Sequence, residues 1–214
     1  MLTRLTSLVP GLAALALATA PAAAHQATFT AVLEPAGPSF CQEESHVVAC
    51  NGARVRSLVV DLTQYEGKPF TYTADLAGVT CDVWYVTSVA PPAATLVVCG
   101  SAAPGCPVRL RVGPSGVIGQ WFLWWSPQTA FLPIDATLGT VMLGTPSWFL
   151  GSGPTAGAPP YHEAVIPNLP GIVGLDVHTQ GAFMDIGPVG PLRLTNPACF
   201  TIAPFLPPCS QPGC

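Results

Sequence analysis

Serine, histidine and carboxylate side chains carry most enzyme chemistry, and this 214-residue chain has few of the titratable ones: 4 His and 11 Asp and Glu together, beside 7 Lys and Arg. A serine nucleophile of the hydrolase type needs a sharp Gly-x-Ser-x-Gly turn between a strand and a helix. Ser115 in Gly113-Pro114-Ser115-Gly116 and Ser152 in Gly151-Ser152-Gly153 only approximate that pattern, and both read as turn residues. A glycosidase places two carboxylates about 5 to 9 Å apart across a cleft, yet Glu43, Glu44 and Glu163 fall in expected loops without a sugar-cleft pattern around them. No glycine-rich phosphate cradle followed by Lys-Ser or Lys-Thr occurs. The densest polar cluster is Cys41-Gln42-Glu43-Glu44-Ser45-His46. Its carboxylates and imidazole are cation ligands in kind, but they are too few, and they read as a solvated disulfide loop. Neither catalysis nor a cofactor is expected from these residues.

The start of the chain suggests an address. Met1 to Arg4 is a short basic lead, 8–20 is an apolar run broken by Pro10 and Gly11, and Ala22-Ala23-Ala24 offers small residues for cleavage. This is the pattern of a secretory signal peptide over residues 1–24 rather than a membrane anchor. Cleavage after Ala24 would place His25 at the mature N-terminus, where its free amine and imidazole suit Cu(II). In that one element the chain resembles the histidine brace of secreted copper monooxygenases that attack polysaccharides. The resemblance implies a second histidine from His46, His162 or His178, and no axial aromatic ligand can be placed. A copper enzyme acting through His25 is therefore the alternative to a non-catalytic protein.

Eight cysteines, at 41, 50, 81, 99, 106, 199, 209 and 214, with no Cys-x-x-Cys pair, read as a disulfide set in an exported chain rather than a zinc or redox site. Short loops favour Cys41 with Cys50 and Cys209 with Cys214. Cys81, Cys99, Cys106 and Cys199 would then pair among themselves. Charge adds a second boundary. Only 8% of residues are charged, against about 25% in ordinary domains. A net charge of −4 offers no footprint for a phosphate backbone, so nucleic acid is excluded as a partner. No later apolar stretch is long enough to span a membrane.

The elements that must position these residues are strands. Runs rich in Val, Thr, Leu and aromatics recur at 55–62, 69–76, 79–89, 95–99, 107–112, 120–125, 137–143, 173–179, 191–195 and 199–202, between Gly, Pro, Asn and Ser. That spacing predicts an all-β fold with almost no helix, because Pro or Gly interrupts nearly every helical window. The expected organisation is a β-barrel-like or β-rich part over 25–112, a β-sandwich over 113–203 and a cysteine-clipped tail over 204–214, all stapled by disulfides. In Val108-Arg109-Leu110-Arg111-Val112, alternation puts both arginines on one face. In the run 121–125, it turns Trp121, Leu123 and Trp125 one way and Phe122 and Trp124 the other. One of those faces is core, and all four aromatics read as packing between sheets; where a face is exposed, Trp124 is the candidate ligand contact.

One resemblance follows from the segment IPNLPGIVGLDVHTQGAFMDIGPVGPLRLTNPACFTI, residues 166–202. Ile166-Pro167-Asn168, Gly174-Leu175, Gln180-Gly181-Ala182 and the run from Leu192 to Asn196 are similar to the ending of an uncharacterised β-rich module. That module occurs in exported proteins of planctomycete-type and other large-genome bacteria. The stretch 58–86 is similar to the short barrel-like segment often found ahead of it. The resemblance implies export and β architecture and brings no activity. Together these readings predict a secreted or cell-surface binding or structural protein without catalysis, its expected partner a protein or a neutral glycan.

Overall fold

The computed structural model describes residues 26–39, 43–77, 81–113, 118–155, 161–169, 171–186, 190–204 and 209. Residues 1–24, expected as a signal peptide, His25, Cys41, Ser115, Cys214 and most of the tail lie outside the described residues. Among those described, no helix is long and apolar enough to cross a membrane. The fold is all-β, as expected, and the only helical element among the described residues is a 3-10 turn at Leu62–Tyr65. Asp61 caps that turn by accepting from the Thr63 amide.

Five strands close the barrel: β1 (Gln26–Pro35), β2 (His46–Val48), β3 (Arg54–Arg56), β4 (Pro69–Ala77) and β5 (Val83–Ala90), in the order β1-β2-β3-β5-β4, with β4 returning to β1. Closure removes the free edges that open sheets expose. Alternation along β1 sends Ala27, Phe29, Ala31 and Leu33 inward. They meet Val48, Val55, Tyr72, Ala74, Trp84 and Val86 in the barrel core. Phe29 packs on Tyr72 at 5.5 Å between ring centroids and on Phe131 at 5.3 Å.

The chain continues through β6 (Leu96–Gly100), β7 (Pro107–Val112), β8 (Gly119–Ser126), β9 (Thr129–Asp135), β10 (Gly139–Leu143), β11 (Trp148–Thr155), β12 (Tyr161–Val165), β13 (Asp176–Asp185) and β14 (Leu192–Thr201). A three-stranded sheet, β12-β7-β6, faces a four-stranded sheet, β11-β8-β13-β14, around a second core. This is the expected sandwich. In β7, Val108, Leu110 and Val112 are buried, with Arg109 and Arg111 on the other face. The β9-β10 hairpin turns at Asp135, whose carboxylate accepts from the amides of Thr137 and Leu138.

The two cores do not divide where the composition shifts at Gly113. β6 and β7 come before that point and build the second core, whereas the hairpin comes after it and returns to the first, with Met142 and Phe131 against the barrel. Composition tracks exposure to water and is blind to which sheet a strand joins. Strands expected at 191–195 and 199–202 are one strand, β14, running through Pro197. An edge position tolerates the missing amide. Likewise β11 is an edge strand that holds Pro154, and its Gly-Ser-Gly-Pro sequence gave no strand signal.

The local disulfides expected between Cys41 and Cys50 and between Cys209 and Cys214 are not formed. Cys50 is bonded to Cys199, and Cys106 to Cys209. Cys81 and Cys99 are also in disulfides. The first bond joins the turn after β2 to β14 across 149 residues, and the second closes 103. Cys199 and Cys106 thus leave the group of four expected to pair among themselves. Folding brings the barrel turn against the outer face of β14, and proximity in space overrides proximity in sequence.

Candidate functional site

The sandwich presents an uncharged aromatic face, and β8 sets its geometry. Trp121 and Leu123 point into the core, and the intervening Phe122 and Trp124 point out of the sandwich, half-buried. Gly151 and Gly153 on the neighbouring β11 allow the inward turn. A Cβ at Gly153 would lie 3.0 Å from the Trp121 indole, and one at Gly151 3.2 Å from the His162 imidazole. On the outer face, Trp124 stacks with Phe122 at 6.1 Å and meets Phe149 of β11 at 5.7 Å. Phe149 is 56% exposed.

Beside Trp124 lies a recess of about 220 Å³, lined by Trp124, Val141, Leu143, Ser147, Gln180 and Leu194. Its floor is rigid because the Gln180 amide is fully engaged. Gln180 Oε1 accepts from the Met142 amide at 2.8 Å, and Nε2 donates to the carbonyls of Thr140 and Thr195 at 2.9 and 3.0 Å. Ser147 is exposed and brings a hydroxyl to the rim. The lining holds no charged residue.

The polar residues of the 166–202 pattern have structural work. Thr195 Oγ1 accepts from the Gly181 amide at 2.9 Å. Asn196 Oδ1 accepts from the Leu96 amide at 2.9 Å, and its Nδ2 donates to the Leu96 carbonyl at 3.0 Å. The side chain of Asn196 therefore serves β6 as a neighbouring strand would and ties one sheet of the sandwich to the other.

The remaining candidates are scattered. His46, expected beside Glu43 and Glu44, is 4% exposed and bonds to Ser45 Oγ through Nδ1 at 2.9 Å and to Glu66 Oε1 through Nε2 at 3.0 Å. Glu66 was invisible as a partner from sequence, because only barrel closure brings it beside β2. With both nitrogens engaged and the ring enclosed, His46 has the surroundings of a structural core histidine. Glu44 turns instead to Ser39 and Arg54. The Ser39 hydroxyl, the backbone amide of Glu44 and the Arg54 charge hold its carboxyl below the usual range.

Strand alternation separates His162 and Glu163. His162 lies 6.0 Å from Trp121 inside, and Glu163 lies outside on Arg109 at 2.7 Å. The bond to Glu163 raises the Arg109 pKa, and the guanidinium also covers the Tyr161 ring at 4.7 Å. His178 and Asp185 stand near opposite ends of β13, roughly 23 Å apart at strand rise. Among the described residues, no three His, Cys, Asp or Glu side chains gather as a metal site.

A larger groove of about 650 Å³ lies where the barrel meets the hairpin, with Arg54, Asp82, Trp84 and Phe131 on its walls. There Asn51 donates to the Ala130 carbonyl and fastens the hairpin to the barrel turn. No protein-family model, curated protein or solved structure matches the chain.

Proposed function

We propose that this chain is a non-catalytic binding protein of the extracellular space or cell surface, and that it takes a neutral glycan on the outer aromatic face of β8 and β11. The observation that carries the reading is Trp124, set between Phe122 and Phe149 and bordering a charge-free recess with the Ser147 hydroxyl at its rim. An aromatic ring offers a flat apolar surface to the C–H face of a sugar, and a few fixed polar groups add orientation. Half-exposed aromatics grouped on one sheet face are the kind of patch that marks an interaction surface. Disulfide bonding supports an oxidising compartment.

Affinity electrophoresis in gels cast with soluble neutral polysaccharides, followed by titration of tryptophan fluorescence, tests the assignment. Retardation by at least one polymer is expected, with affinity at least tenfold weaker in Trp124→Ala. Migration unaffected by every neutral polymer, or full affinity in the variant, would refute it.

A further inference from the structure

The inner side of the same sandwich carries a second site. A cleft of about 330 Å³ opens between the two sheets, with Val108 and Ala164 on one wall and Trp125, Leu150, Val177 and Phe200 on the other. Of its lining residues only Thr179 and Trp125 bear a polar side-chain atom, and the Thr179 hydroxyl donates to the Ala198 carbonyl at 3.1 Å. Interiors normally interdigitate with no gap larger than a water molecule. Here β12 contributes the methyl of Ala164 to the cleft wall, beside its sheet partner Val108. An apolar cavity of this kind gives water no partners and favours an apolar guest.

The surface around the cleft is apolar too. Val165, Leu169, Val173 and Leu175 are all exposed, along the chain that supplies Ile166, Pro167 and Ile172 to the lining. No Lys, Arg or His lines the cleft, so an anionic headgroup would lack a counter-charge, and a peptide strand would find no side-chain acceptor for its N–H groups beyond the engaged Thr179 hydroxyl. A hydrocarbon chain asks for neither.

We propose that this cleft binds a single straight hydrocarbon chain of an uncharged, monomeric lipid. The site is on the opposite face of β8 from Trp124, so it stands or falls independently of glycan binding.

The test uses the exported full chain and the neutral fluorophore N-phenyl-1-naphthylamine, displaced by monododecanoyl glycerol below its micelle concentration. Expected are one probe per chain, displacement by the monoacyl glycerol but not by glycerol, and a change in Trp125 emission. Two substitutions that fill the cleft, Ala164→Phe and Val177→Phe, should each weaken probe binding at least tenfold with native circular dichroism retained, whereas Trp124→Ala should leave it unchanged. The proposal is overturned if the monoacyl glycerol does not displace the probe, or if both folded filling variants bind as the parent does. Capture only on phosphatidylcholine vesicles, or a dimer that the filling variants dissolve without any lipid uptake, would equally overturn it in favour of a membrane surface or a second copy.

Discussion

Tyr72 is fully enclosed in the barrel core, and its hydroxyl has no hydrogen-bond partner among the described residues. Burial pushes the phenol pKa well above its ordinary value of 10.0. The ring is needed for packing on Phe29, but the oxygen carries only a desolvation cost. Tyr72→Phe should therefore stabilise the protein by about 1 kcal/mol, read as a higher urea midpoint with an unchanged slope. Glu44 gives a pH dependence. Its folded-state pKa is lowered from 4.5, so its stabilisation is complete above that value and is lost as pH falls through the folded pKa. Between about pH 5 and 3, the melting temperature of Glu44→Gln should fall less steeply than that of the parent. An equal fall would mean that the Ser39 and Arg54 contacts contribute nothing in solution. That Trp124 shares a face with Phe122, opposite Trp121 and Leu123, could be read from sequence, because alternation along a strand is local geometry. The partners of His46 could not, because Glu66 lies twenty positions away on a segment that only barrel closure delivers.

Asn196 shows how one side chain can complete an element. The Leu96 amide and carbonyl are buried, and the Asn196 carboxamide satisfies both. Asn196→Leu keeps the branched heavy-atom skeleton but leaves two backbone groups without partners, which should cost about 2 to 4 kcal/mol in chemical denaturation. A loss below about 0.5 kcal/mol would show that β6 finds another partner. The hairpin plays a similar bridging part at larger scale. Thr140 Oγ1 donates to the Thr28 carbonyl of β1 at 2.7 Å, and the backbone of β10 engages Gln180 of β13. β9 and β10 thus belong to both halves; the sequence marked β10 within the run 137–143, whereas β9, which holds Pro133, gave no strand signal.

At the scale of the whole molecule, the Cys50–Cys199 bond fastens the barrel turn to the last strand of the sandwich. It closes a loop of 149 residues, and chain entropy assigns a loop of that size about 4 to 5 kcal/mol. The double substitution Cys50→Ser, Cys199→Ser should lower stability by about that amount under non-reducing conditions. Unfolding followed separately by Trp84 in the barrel and by Trp121 in the sandwich should then give two transitions in place of one. A single coincident transition would show that the hairpin alone couples the halves.

By itself the sequence determined the all-β class, which side chains of β7 and of β8 share a face, and the presence of both a barrel-like part and a sandwich. All of these follow from a two-residue side-chain period and from the frequency of Pro and Gly, which act within a few residues of themselves. Only the tertiary structure decided which cysteines pair, that Asn196 would bond to a strand a hundred residues before it, that the hairpin would pack on the barrel core and bond to Gln180 of the sandwich, and that a cleft would lie between the sheets. Each of these depends on chain closure between distant positions, and the periodic pattern of a strand holds no record of which sheet it will meet.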